Sequence, residues 1–160
     1  MSFIDLHLHS NHSDGSDSPA RVVARAAAMG ISGMALTDHD TVSGVAEAEA
    51  AAGKAGLDFL TGVEITAQFD GQEIHIIGLG VCTGCAELLS PLKKNETARN
   101  ERASLVLEKL AQCGIALPPD LLRQYARGAA VSRMHVARVL CDLAVSYTHL
   151  RAHETVLDLV

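Results

Sequence analysis

The stretch Asp5-Leu6-His7-Leu8-His9-Ser10, followed at once by Asn11-His12-Ser13-Asp14-Gly15, concentrates metal-ligand chemistry in the first residues of the chain. Successive side chains of a β-strand point to opposite faces. A strand over residues 3–9 therefore sets Ile4, Leu6 and Leu8 against Asp5, His7 and His9. Two imidazoles then leave one edge together. Neutral imidazole is the commonest nitrogen ligand of transition metals, and Asp14, arriving from the next turn, adds a harder oxygen donor. One strand cannot complete a metal shell, so further ligands must come from elsewhere.

Working outward, Ser18 before Pro19 reads as an N-cap with proline at the first helical position, and Gly30 as the stop of a helix from Pro19 to Met29. Ile31 to Leu36 is a short apolar run that ends in Thr37-Asp38-His39-Asp40. His39 is a candidate ligand, and Asp38 or Asp40 is placed to accept the free N–H of a ligating imidazole and fix its tautomer. Alanine-rich Val42 to Ala55, closed by Gly56, predicts a second helix. Leu57 to Val63 returns as a strand that delivers Glu64, a carboxylate able to bridge two ions. Asp70-Gly71 marks a tight turn, and Glu73 to Val81 a returning strand that carries His75. Strand, helix, strand, helix, strand is the alternation of a parallel α/β sheet, whose sites collect at the carboxyl ends of the strands. His7, His9, Asp14, His39, Glu64 and His75 follow those exits and are expected to converge in one cleft.

The chain has 160 residues, 48% of them apolar, and a net charge of −6 from 13 basic and 19 acidic residues. This describes an ordinary soluble domain with no electropositive footprint for a long polynucleotide, and it favours small substrates. The first residues are polar and His-rich rather than a basic and apolar leader, and no run approaches the ~20 apolar residues of a membrane span, so a cytoplasmic protein is expected. Cys82, Cys85, Cys113 and Cys141 stand in apolar contexts and are expected to be reduced, buried thiols. Cys82-Thr83-Gly84-Cys85 has no second C-x-x-C and is not expected to open a helix after a strand, so a structural role is assigned to it.

From about Leu88 the composition turns helical. Lys93 to Cys113 carries Arg99 and Arg102 on a polar face, where they either pair with Glu96 and Glu101 or reach a phosphate. Pro118 and Pro119 open a short helix to about Arg127, and another follows from Ala129 to Leu143.

Taken together, D-x-H-x-H-S at Asp5 to Ser10 and the D-H-D triplet at Asp38-His39-Asp40 resemble the polymerase-and-histidinol-phosphatase (PHP) family of metal-dependent phosphoesterases, from about Phe3 to about Leu140. Ser132-Arg133-Met134-His135-Val136-Ala137-Arg138 is similar to the S/G-R-P-H-x-A-R stretch of the small single-domain subgroup, with Met134 where that pattern has proline. The resemblance implies an α/β fold, the N-terminal part of a distorted (β/α)7 barrel with an inserted helical subdomain. Residues 1–84 would belong to the barrel and 85–144 to the insertion, with 145–160 a tail unrelated to the family. It also implies two or three divalent ions (manganese, iron or zinc) and hydrolysis of phosphate esters by metal-activated water. The subgroup acts on nucleotides carrying a 3′-phosphate and on short RNA from the 5′ end. Arg99, Arg133 and His135 are then expected to contact phosphate or substrate. No obligate protein partner is implied. A histidinol-phosphate phosphatase and a non-catalytic, polymerase-associated metal-binding module are the alternatives.

After about Ala144 the resemblance stops. His149 and His153, four apart with Glu154 alongside, are expected to ligate nothing. The family's centre takes a further His and a D-x-H pair from late strands, and no D-x-H follows His75. The chain is therefore expected to be an N-terminal fragment that binds metal weakly, turns over little, and tends to associate through its open edge.

Overall fold

The computed structural model describes residues 3–143, so His149 and His153 lie outside the described residues. The elements are β1 (Phe3–Leu8), α1 (Pro19–Ala28), β2 (Ile31–Leu36), α2 (Val45–Ala55), β3 (Asp58–Phe69), β4 (Gln72–Leu79), α3 (Ala86–Gln112), α4 (Pro119–Ala126) and α5 (Arg133–Asp142). They form two compact units, Met1–Glu96 and Thr97–Val160. No helix among the described residues is long and apolar enough to cross a membrane.

In the first unit one sheet runs in the order β1-β2-β3-β4, with the first three strands parallel and β4 antiparallel to β3. Parallel neighbours need a crossover, and α1 and α2 supply the two. α1 starts where expected: Ser18 accepts from the amide of Arg21 and Pro19 occupies the first turn. Val22, Val23 and Ala26 of α1 then pack with Met34 and Leu36 of β2, with Ala48 and Ala52 of α2, and with Leu57. Both alanines are fully buried. Small side chains at these positions let α2 lie close to its neighbours.

Several boundaries differ from the sequence expectation, each for a local reason. α2 begins at Val45 rather than Val42, because the Thr41 hydroxyl accepts from the amide of Ser43 and turns the chain first. β3 does not end at Val63; pairing with β4 extends it to Phe69. Glu64 and His75 thus stand within strands, not at strand exits. α3 begins at Ala86, ahead of Lys93, with Pro91 inside it. The division between the two compact units falls within this helix, after Glu96. The Asn95 side chain donates to Asp40 and to the carbonyl of Thr66, both in the sheet unit.

Strict alternation along β1 also fails to bury its apolar side. Leu8 packs on the core, whereas Phe3 and Ile4 are 64% and 67% exposed, on an edge strand with two irregularities of register. The cysteines need correction as well. Cys82 and Cys85 are joined in a disulfide, their Cα atoms brought to 5.5 Å by the turn between them. Cys113 is half-buried and Cys141 exposed, so the free thiols are not buried as expected. The C-x-x-C does sit between a strand, β4, and a helix, α3, contrary to the reading that set it aside.

The second unit is built on apolar packing. Leu110, Leu117, Leu122, Val136, Val139 and Leu140 form its core. α5 is capped by Ser132, whose side chain accepts from the amide of His135 while the His135 ring accepts from the amide of Ser132. That reciprocal arrangement satisfies two donors that a helix start leaves without intrahelical partners. Tyr125 of α4 donates to Asp142 of α5 at 2.5 Å.

Candidate metal centre

The site is assembled where β1, β2 and β3 run side by side. The amide of Thr37 donates to the Leu8 carbonyl, which sets the segment after β2 beside the end of β1. Beyond Leu36 the chain stays against β3: the amide of Glu64 donates to the Asp38 carbonyl and that of Asp40 to the Glu64 carbonyl, so His39 and Glu64 are bridge partners. In the hairpin His75 pairs with Thr66, two residues from Glu64 and therefore on the same face. Gly15 is required by close approach, since a Cβ there would lie 2.5 Å from the His9 carbonyl oxygen. Its fit folds the Asn11–Asp14 loop back over the end of β1 and brings Asp14 to the histidines.

The six candidate ligands meet. His7 Nε2 lies 2.9 Å and His9 Nε2 3.1 Å from Glu64 Oε2, and His75 Nδ1 lies 2.5 Å from Glu64 Oε1. Asp14 places one carboxylate oxygen 3.4 Å from His9 Nδ1 and the other 3.6 Å from His39 Nε2. The four imidazoles stand in a row, with successive centroids 5.0, 4.7 and 4.9 Å apart for His7, His9, His39 and His75. Three sets of donor atoms, His7-His9-Glu64, His9-Asp14-His39 and His39-Glu64-His75, each fall within 4.8 Å. Any two of the sets share a residue, and Glu64 belongs to two of them. Imidazole nitrogen with carboxylate oxygen is a donor set able to hold divalent metal ions.

Burial pushes the Glu64 carboxyl up, and this is the largest single influence on it. The hydrogen bonds with His7 and His75 and the charges of His39 and His9 together outweigh it, leaving the group below its ordinary value of 4.5. Glu64 is accordingly a carboxylate, ready to share two oxygens.

The carboxylates beside His39 bond to the loop and strand around the site. Asp38, 2% exposed, accepts from the Ser10 amide at 2.7 Å, the Ser10 hydroxyl at 2.6 Å and the Ser13 hydroxyl at 2.6 Å. It holds the loop that carries Asp14 instead of orienting an imidazole. Asp40 adopts a left-handed conformation, φ 53°, and accepts from the amide and hydroxyl of Thr66 and from Asn95. Asp tolerates that region better than most residues. Sequence reasoning missed Ser10, Ser13, Thr66 and Asn95. Ser10 and Ser13 had a signal, as hydroxyls inside the first motif, while Asn95 had none.

In the second unit, Arg99, Arg102, Arg133 and Ser132 line one small cleft. Glu96, considered as a partner for these arginines, is bonded to Lys93. His135 is 1% exposed and its ring accepts from the amide of Ser132 in the α5 cap.

These residues belong to a recognisable family. Residues 5–147 match the PHP domain, and the chain is a member of the PHP domain family. It is 42% identical over 143 residues to a 3′,5′-nucleoside bisphosphate phosphatase of Chromobacterium violaceum, covering 89% of this chain and 50% of the relative. It is 40% identical over 139 residues to a 5′-3′ exoribonuclease of Haemophilus influenzae, covering 87% of this chain and 50% of that relative. Among solved structures, a Chromobacterium violaceum protein described as an amidohydrolase with bound sulfate is similar with a TM-score of 0.86 at 40% identity, over 91% of this chain and 51% of that one. A Bifidobacterium adolescentis protein described as a metal-dependent phosphoesterase matches with a TM-score of 0.85 at 28% identity, over 94% of this chain and 54% of that one. The chain thus spans about half the length of the relatives it matches.

Proposed function

We propose that this chain carries the metal-binding part of a phosphoesterase acting on nucleotides or short RNA, in which His7, His9, Asp14, His39, Glu64 and His75 hold two or three divalent ions of manganese, iron or zinc. The overlap of three donor sets through Glu64, His9 and His39 carries this reading, because shared ligands are what a multinuclear centre needs. The similarity to a nucleoside bisphosphate phosphatase and to an exoribonuclease supports the substrate class. When bound, such ions would lower the pKa of a coordinated water toward neutrality and would neutralise phosphoryl charge.

The chain's own residues do the positioning. Asp38 fixes the Ser10–Ser13 loop and so the approach of Asp14. Asp40 ties the segment after His39 to β3 through Thr66. Arg99 and Arg133 are the proposed phosphate contacts, a guanidinium fork matching two phosphate oxygens. His135 acts through the α5 cap, which holds Ser132 and Arg133 in place.

Equilibrium dialysis against Mn2+ or Zn2+ with metal analysis tests the ligand set. At least one ion per chain is expected, with His7→Ala and Glu64→Gln each losing more than the roughly tenfold that an outer partner typically costs. Retention of metal by both variants would overturn the ligand assignment. Phosphate release from a nucleoside 3′,5′-bisphosphate, a 5′-phosphorylated oligoribonucleotide and histidinol phosphate is then measured, for the chain and for a chimera carrying the second half of the Chromobacterium relative. Preference for histidinol phosphate would overturn the substrate class.

A further inference from the structure

The disulfide between Cys82 and Cys85 lies in the connection from β4 to α3, outside the six candidate ligands. We propose that it is a reversible thiol–disulfide exchange site that takes dithiol reductants, with Cys82 as the sulfur attacked and Cys85 as the leaving thiolate. Three observations carry the assignment. Access is unequal, since Cys82 is exposed and Cys85 half-buried. Leaving-group quality is unequal too. The Cys85 carbonyl accepts from the amides of Leu88 at 3.1 Å and Leu89 at 3.0 Å, so Cys85 caps the start of α3, a helix of 27 residues. A thiolate at a helix N-terminus is stabilised, and the more acidic thiol departs faster.

The third observation is that the connection is held independently of the sulfurs. Gly80 donates its amide to the Thr61 carbonyl at 2.7 Å, the Thr61 hydroxyl donates to the Val81 carbonyl at 2.8 Å, and the Cys85 amide donates to the Cys82 carbonyl at 3.2 Å. After reduction the two thiols therefore stay close enough to close again. The steps balance. A thiolate of the dithiol bonds to Cys82 Sγ as the Cys82–Cys85 bond breaks, and the electron pair goes to Cys85. The reductant's second thiolate then attacks its first sulfur and expels Cys82 as thiolate. The dithiol loses two electrons and becomes its cyclic disulfide, the protein gains two, and the two thiol protons pass to Cys82, Cys85 or solvent. The pair adjoins the first turn of α3, the helix from which Asn95 reaches Asp40.

The test uses the full chain equilibrated in mixtures of reduced and oxidised dithiothreitol without denaturant, quenched with iodoacetamide and read by peptide mass spectrometry. Interconversion of the Cys82–Cys85 pair in folded protein is expected, with amide exchange in α1 the same in both forms. Cys82→Ser leaves Cys85 alone, and its alkylation rate should reach half-maximum below the free-cysteine value of about 8.5, while Cys82 in Cys85→Ser should titrate near it. Two free thiols in the most oxidising mixture, or a disulfide that opens only once the chain is unfolded in urea, would overturn the exchange site. A Cys85 titration at or above that of Cys82 would overturn the direction of attack.

Discussion

Among the described residues the sheet unit buries Ser10, Ser13, Thr37, Asp38, Asp40 and Glu64 beside an alanine-rich apolar cluster, whereas the helical unit buries one polar side chain, His135, among leucines and valines. A buried polar group costs free energy unless it is bonded, and a buried charge costs more. Asp38 and Asp40 therefore each collect at least three hydrogen bonds, and those bonds decide where loops and strand ends sit. The helical unit spends its one buried histidine on a helix cap and surrounds it with packed leucines and valines. One interior specifies geometry and the other supplies cohesion.

The largest effect should come from Asp38→Ala, which leaves the Ser10 amide and two hydroxyls without their carboxylate in a buried place. A loss of about 3 to 5 kcal/mol is expected in urea unfolding, together with weakened metal binding. If metal affinity stayed at the wild-type value, the buried polar network would not be what positions the ligands. Leu122→Ala, at a side chain 1% exposed, should cost about 3 kcal/mol by opening a cavity in the helical core. Metal affinity should be untouched. A parallel loss of binding would break the contrast between the two interiors. Ser132→Ala removes the α5 cap and should cost about 1 kcal/mol, read as a shift of the urea midpoint at constant slope.

The smallest effect concerns Tyr125. The hydrogen bond to Asp142 raises its phenol above the ordinary value of 10, and burial and the Asp142 charge add in the same direction. A group whose folded-state value is raised contributes stability that is fully present below the unfolded value and lost as pH rises through the folded one. Stability of the helical unit should therefore decline above pH 10, and Tyr125→Phe should flatten that decline while leaving the acid side unchanged. An identical alkaline decline in the variant would assign it to another group.

Much of the sheet unit was legible because its signals are local. Ser18-Pro19 starts α1, Asp70-Gly71 turns the hairpin, and the D-x-H-x-H alternation puts two imidazoles on one edge. What was misread depended on partners distant in sequence. β3 passes Glu64 because β4 returns against it, and Asp38 serves Ser10 and Ser13, 28 and 25 residues earlier. The C-x-x-C reads as structural for want of a second C-x-x-C and because the helical pattern begins only at Lys93, whereas α3 starts seven residues earlier, at Ala86, and so meets the second cysteine.

The sequence by itself determined the α/β class and the six candidate ligands, because side-chain periodicity and ligand chemistry are properties of short segments. Tertiary structure alone decided that Glu64 stands between His7, His9 and His75, that Asp38 faces serines and not an imidazole, and that Cys85 caps a helix. The reason is physical: a carboxylate takes whichever donors the fold buries beside it, and strand pairing, not local pattern, chooses those donors.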